Sequence, residues 1–345
     1  MKAGLKLYET LKADIEKGHY QAGERLPSTG QFAETYKISG PTAHKALSRL
    51  TDEGFLYRQL GKGTFISKDY EPKEKTRVLL ITSEENEFQK SRTLDLMTRL
   101  QDIETNVFIH VCGDKEGDMS IDFFDGREPD VIVLKSYLYR LSHQLAETYK
   151  NKIPVIFLGE THAYHFPGTI IHPNIYQATC LAVNHLISKG HTKIAALSVM
   201  HENVKLHFEK FAYLDSMEKA GLTYRQFIHI KPSTSSLPAA QAFFDSPDNP
   251  TAIFCMLDHR ALGLIDYADS KGLKRGKDYS IMTGWNTSES EIFSLSSIDL
   301  KWNMVTQKCI DEIKDIQSGK TLGINTQHLI QPSLIQRDSV VNLNE

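Results

Sequence analysis

The sequence predicts an α/β multidomain protein, with a small helix-and-hairpin domain first and a larger, two-lobed, doubly wound α/β domain after it. Three observations carry this prediction. Charge is uneven: residues 1–70 hold 11 Lys and Arg against 8 Asp and Glu, net +3, while the remainder is net −6. The same seventy residues carry short helical stripes closed by a strand–glycine–strand pattern. The rest alternates short apolar runs with amphipathic helices. A length of 345 residues supplies two or three domains, and 40% hydrophobic with 24% charged residues excludes wholesale disorder. The net charge of −3 confines any nucleic-acid contact to a local patch.

In the first domain Leu7, Leu11 and Ile15 recur every four residues, one apolar stripe that stops at Gly18. Gly23-Glu24-Arg25-Leu26-Pro27 is a turn, and Ser28 with Gln31 forms a capping box that opens a second short helix through Phe32, Ala33 and Tyr36. Gly40-Pro41 begins a third helix, with proline at its tolerated first position. There Ala43, Ala46, Leu47 and Leu50 follow the helical period and Gly54 ends it. Phe55–Arg58 and Thr64–Ser67 read as strands joined across Gly61-Lys62-Gly63. Three helices plus a two-stranded wing make a winged helix-turn-helix.

Away from its apolar stripe the third helix carries Thr42, Lys45 and Arg49, flanked by His44 and Ser48. Such a face can enter a major groove, where Lys or Arg meets guanine or phosphate and Thr meets a thymine methyl or phosphate. A merely solvated helix face has the same composition. The wing tips the balance, because Lys62 between two glycines lets backbone and a cation approach a phosphate closely.

The segment 68–76 is mostly charged, holds Pro72 and has almost nothing to bury, so it reads as an interdomain linker, with a sheet-edge extension as the alternative. Beyond it, strands are expected at Val78–Thr82, Val107–Cys112, Val131–Leu134, Val155–Leu158, Lys193–Val199, Phe227–Ile230, Ala252–Met256 and Ser280–Gly284. Helices such as Tyr176–Lys189, Lys205–Ala220 and Ala261–Gly272 intervene. That alternation implies parallel sheets covered on both faces, and its length suits two lobes sharing a ligand cleft.

The motifs of the first seventy residues, from Ala22-Gly23-Glu24-Arg25-Leu26-Pro27-Ser28 through Ile38-Ser39-Gly40-Pro41-Thr42 and Lys45-Ala46-Leu47 to Glu53-Gly54-Phe55-Leu56 and Gly61-Lys62-Gly63-Thr64-Phe65-Ile66, resemble the GntR family of bacterial transcriptional regulators. The resemblance implies DNA contacts from Ser28, Ser39, Thr42 and Gly63. Relatives often carry arginine where this chain has Gly30, Gly40 and His44, so base reading is expected to shift to Lys45 and Arg49.

The stretch Ala182–Ala195, then Pro250–Cys255 with Asp258 and Ala261-Leu262-Gly263, then Asp278–Trp285 and Pro332–Ser339, is similar to the LacI-type, periplasmic-binding-protein-like (type I) effector domain. The resemblance places a ligand between lobes, at the carboxyl ends of strands. Candidate strand-end residues are Ser83, Lys135, Glu160, His172, Asp258, Trp285 and Asn286. Trp285 would stack on a sugar ring, and Asn286, Asp258 and Glu160 would meet its hydroxyls; strand-end carboxylates are also common as solvated loop residues. Many sugar-binding relatives place arginine where Glu209 falls and aspartate where Asn286 falls, which implies an altered ligand, a rearranged site or reduced ligand dependence.

Other chemistries lack support. Cys112, Cys180, Cys255 and Cys309 are far apart, which excludes a disulfide framework and suits a reducing cytoplasm. His162, His165 and His172 read as loop histidines, so neither a metal nor a cofactor is expected. No G-x-S-x-G elbow, phosphate loop or Rossmann fingerprint is present, so no catalytic residue is assigned. There is no apolar signal segment or membrane-length run. The expected domains are 1–68 for the winged helix, 69–76 for the linker and 77–341 for the two-lobed domain. One lobe would be about 77–173 and 299–330, and the other about 174–298 and 331–341. The expectation is a cytoplasmic, homodimeric, non-enzymatic regulator, a repressor, that binds a double-stranded DNA operator and answers to a small effector, a sugar first. Alternatives are a C-terminal domain that only dimerises or takes a non-sugar ligand and, more remotely, a solute-binding protein or an enzyme fusion.

Overall fold

The computed structural model describes residues 3–16, 18–68, 75–83, 87–112, 128–135, 145–149, 152–159, 167–199, 208–320 and 326–344. The chain divides into two compact units, Met1–Lys75 and Thr76–Glu345. Most of the expected linker, 69–74, lies outside the described residues.

The first unit is the winged helix-turn-helix that the periodicity predicts. Helices α1 (Ala3–Glu16), α2 (Thr29–Thr35) and α3 (Gly40–Asp52) precede strands β1 (Leu56–Gln59) and β2 (Gly63–Ile66), paired antiparallel with Leu56 opposite Ile66 and Gln59 opposite Gly63. Ser28 caps α2 in a full capping box: its Oγ accepts from the Gln31 amide at 3.3 Å, and Gln31 Oε1 accepts from the Ser28 amide at 2.8 Å. Leu7, Leu11 and Ile15 of α1 and Ala43, Ala46, Leu47 and Leu50 of α3 close one core with Leu26, Phe32, Leu56 and Ile66. Burying each large aliphatic side chain there contributes roughly 1.5–3 kcal/mol, which is how so small a unit holds its shape.

Among the described residues the second unit contains two six-stranded sheets. The first runs β13-β7-β6-β5-β3-β4, all parallel, from β3 (Thr76–Ser83), β4 (Thr105–Cys112), β5 (Val131–Lys135), β6 (Val155–Leu158), β7 (Thr169–Pro173) and β13 (Thr326–Ile330). The second runs β14-β12-β11-β10-β8-β9, from β8 (Ile194–Val199), β9 (Gln226–Ile230), β10 (Ala252–Cys255), β11 (Ser280–Thr283), β12 (Ser296–Asp299) and β14 (Ser333–Ile335), with only β14 antiparallel. The crossovers carry α4 (Glu87–Gln101), α5 (Ile175–Ser188), α6 (Phe208–Lys219), α7 (Leu237–Phe244), α8 (Asp258–Ser270), the short α9 (Ser288–Ile292) and α10 (Trp302–Gln317). Apolar clusters lie on both faces of each sheet, as doubly wound sheets require.

The eight expected strands are present within two residues at each end. Strands β7, β12 and β13 escape a search for apolar runs. In β12, Ser296 and Ser297 are fully buried, and hydrogen bonds to Ser339, Arg337 and Thr283 replace the apolar contacts that a hydrophobic run would make.

Candidate functional site

Two surfaces concentrate the expected functional residues, one in each unit. In the first unit Ser39 caps α3, its Oγ accepting from the Thr42 amide at 3.3 Å and lying 2.7 Å from Thr42 Oγ1. Pro41, Lys45 and Asp52 are exposed on the side of α3 opposite its buried stripe, with Ser48 half-buried among them. The expected row of Thr42, Lys45 and Arg49 is therefore split. A methyl group on Gly4 would come within 2.5 Å of Thr42 Cγ2, so Thr42 faces α1. Arg49 is also turned toward α1: its Nε donates to Glu53 at 3.0 Å and its guanidinium lies 4.0 Å from the centre of the Tyr8 ring. Glu53 further accepts from Tyr8 at 2.7 Å and from Lys12 at 3.1 Å. The Tyr8 hydroxyl, then Lys12, holds the Glu53 carboxyl down to about 2. Arg49 thus ties α3 to α1 while its side chain stays 57% exposed.

Lys45 is exposed on the outer side of α3, as is Lys62 at the wing turn. Gly63 has φ +121°, a conformation that L residues avoid, and a side chain there would press within 3.1 Å of Arg25 Nε. The wing therefore keeps a glycine backbone with Arg25 beside it. His44 is exposed but engaged, within 2.8 Å of Arg58 Nη1.

In the second unit the carboxyl ends of the two sheets are brought together by three side chains. Trp285 follows β11, Trp302 opens α10, and their ring centres are 5.9 Å apart at 40°. Arg92, on the helix that follows β3, places its guanidinium 3.2 Å from the centre of the Trp302 ring and 5.9 Å from that of Trp285. Trp302 packs against the cores of both sheets. Lys135, at the end of β5, is buried and donates to the Thr93 hydroxyl on α4.

Three of the expected ligand residues make hydrogen bonds within the protein. Asp258 is buried at the start of α8, and its carboxylate accepts from the Trp285 amide at 3.1 Å, the Thr287 amide at 2.6 Å, and the Thr287 and Ser290 hydroxyls, each at 2.8 Å. It positions the 285–290 turn. Asn286 sits at φ +48° with its Oδ1 accepting from Arg337 Nη2 at 2.8 Å, so that oxygen too is committed within the protein. His172 Nε2 is met by Gln327 from β13 at 2.7 Å. Burial pushes the carboxyl of Glu209, in the first turn of α6, upward. Glu160, His162, His165 and the side chain of Ser83 lie outside the described residues.

Sequence reasoning singled out both tryptophans as the only two in the chain but assigned only Trp285 to the cleft, and it did not single out Arg92 or Arg58, whose partners become visible only when the chain packs back on itself. Among the described residues no group of three or more His, Cys, Asp or Glu could hold a metal, and no helix is long and apolar enough to cross a membrane.

Comparisons with known proteins agree with this two-part layout. Residues 4–66 match the family of bacterial regulatory proteins, gntR family, and residues 183–340 match the periplasmic binding protein-like domain. The chain is 42% identical over 96 residues to the HTH-type transcriptional repressor NagR of Bacillus subtilis, covering 28% of this chain and 38% of that one. It is 21% identical to the arabinose metabolism transcriptional repressor of Geobacillus stearothermophilus, covering 97% and 96% of the two chains. A LacI family transcriptional regulator, CCPA from Weissella paramesenteroides with bound glucose, superposes with a TM-score of 0.64 at 18% identity, covering 78% of this chain and all of the other. The protein joins a GntR-family helix-turn-helix domain to a periplasmic-binding-protein-like domain with the fold of LacI-type regulators.

Proposed function

We propose that this protein is a transcriptional repressor whose winged helix binds an operator duplex and whose second unit takes a small effector, a carbohydrate first, between its two sheets. The observation that carries the DNA half is the exposed outer side of α3, capped by Ser39 and bearing Lys45, in the unit whose wing presents Lys62 and Gly63. Two relatives support repression and sugar sensing: the arabinose repressor spans almost the whole chain, and the LacI-type regulator from Weissella holds glucose in one structure and sucrose in another. A homodimer would present two winged helices to a two-fold operator, one per half-site. Effector binding alters DNA affinity only by its differential affinity for the two arrangements of the dimer.

The test begins with a duplex selected from a randomised pool by the full chain. Lys45→Ala weakens binding to it, Lys62→Ala weakens selected and random duplexes alike, and one compound among arabinose, glucose, sucrose and related sugars changes the affinity saturably. A chain that selects no duplex sinks the proposal. The inward engagement of Asp258 and Asn286 favours a second reading, in which the effector is not a sugar; a screen in which only non-sugars act supports that reading.

A further inference from the structure

Arg58 lies on strand β1 of the wing, yet its guanidinium reaches helix α3. Nη1 donates to His44 Nε2 at 2.8 Å and Nη2 donates to Ser48 Oγ at 3.1 Å, while His44 Nδ1 lies 3.4 Å from the same Ser48 oxygen. The three side chains form a closed ring. A guanidinium only donates, so Nε2 of His44 is the acceptor from Arg58, and Nδ1 is left facing Ser48 Oγ.

Neither partner is a carboxylate, so these contacts do not pair the guanidinium with a negative charge. Arg58 and His44 are exposed, and the remaining N–H donors of the fork are open to an incoming partner. Arg49, by contrast, pairs with Glu53 and lies against the Tyr8 ring. The charged groups on the outer row of α3 are Lys45, beside His44 in sequence, and, one turn beyond Ser48, Asp52 as its single acid; Lys62 is exposed at the wing turn that follows β1. Positive charge is therefore concentrated at the N-terminal half of α3, the half that a recognition helix presents to base edges.

We propose that Arg58 contacts DNA: strand β1 lends its guanidinium to the groove face of α3, and His44 and Ser48 are the positioning residues that fix the fork. A fixed planar fork fits a pair of acceptors on the duplex, either the O6 and N7 of guanine or two phosphate oxygens. This inference rests on the reading that the N-terminal unit binds duplex DNA. It goes beyond that reading by moving the groove-facing arginine from the helix to the wing.

The experiment uses the full chain, a duplex it selects from a randomised pool and an unrelated duplex of equal length. Affinity is measured across a salt series for wild type, Arg58→Ala, Arg58→Gln, Arg58→Lys, His44→Ala and Arg49→Ala, with thermal melting of each as the control for folding. Arg58→Ala and Arg58→Gln are expected to weaken the selected duplex by about tenfold or more. Loss confined to the selected duplex marks a base contact. Equal loss on both, with a salt slope lower by about one unit, marks a phosphate. Arg58→Lys keeps the charge but cannot span His44 and Ser48, so it recovers a phosphate contact and not a base contact. His44→Ala loses less than Arg58→Ala, since the charge stays while its position is released. Arg58 variants that fold and bind both duplexes like wild type, with an unchanged slope, overturn the inference while leaving the DNA reading intact. A wild-type chain that selects no duplex overturns both.

Discussion

The indole of Trp285 stands 5.9 Å from that of Trp302, and the guanidinium of Arg92 covers the Trp302 ring from the other sheet's first crossover helix. The two tryptophans, the only ones in the chain, are thus one optical unit placed where the carboxyl ends of the sheets meet. A ligand that separates the sheets or displaces Arg92 must change the surroundings of both rings.

Intrinsic fluorescence is therefore expected to report effector binding, and Trp285→Phe to reduce the response without abolishing it, because Trp302 remains under Arg92. Arg92→Ala should shift the emission of the unliganded protein by exposing Trp302 to water. Titration with the compound that changes operator affinity is the check. An emission spectrum indifferent to that compound in wild type and both variants would move the effector away from this cluster.

Arg49 is expected to matter for stability and not for DNA affinity. Arg49→Ala removes a contact to Glu53 and a ring contact to Tyr8, all partly solvated, so the melting point of the N-terminal unit should fall by roughly a few degrees. Glu53 is ionised well below its ordinary value of 4.5, so its contribution is present above that value and is lost as pH falls toward about 2. Glu53→Gln should flatten the acid limb of the melting profile. An Arg49→Ala chain that melts normally but fails to bind the selected duplex would restore Arg49 to the groove.

The helix periods and the eight expected strands were legible because each is a local property of the chain, a spaced apolar stripe or a short apolar run. Lys45 and the Gly61-Lys62-Gly63 turn were legible for the same reason. The employment of the other site residues was not. Tyr8 meets Glu53 across 45 residues, His44 on α3 meets Arg58 on β1 across 14, and Asp258 is met by backbone amides of a turn 27 and 29 residues later. A polar side chain at a strand end looks the same in sequence whether it faces a ligand or caps a turn. Only the tertiary partner decides.

Asp258 is expected to be a folding residue first. Asp258→Ala leaves two amides and two hydroxyls without their acceptor inside the second unit, and the cost should be about 3 kcal/mol. Asp258→Asn should recover only part of this, since its amide nitrogen would face donors. Denaturant unfolding of the full chain is the measurement. A fully stable Asp258→Ala protein that had merely lost its effector response would return this carboxylate to the ligand.

The first sheet ends at β4, which among the described strands pairs only with β3. Val107 turns toward the core that holds Leu96 and Leu100 of α4, and alternation places Ile109 and Val111 on that same face. They are 44% and 57% exposed, and Leu94 of α4 is 64% exposed. An edge strand with an apolar face and an apolar helix residue is a surface that pairs or aggregates unless covered, and a second copy related by a two-fold axis covers it symmetrically. Val111→Asp and Leu94→Lys are therefore expected to shift the full chain from dimer to monomer in sedimentation. Each should also weaken the selected duplex more than a single unfolded half-site would explain, because both winged helices must be held together to bind two half-sites at once. Variants that sediment as wild-type dimers would place the dimer contact on another face of the molecule.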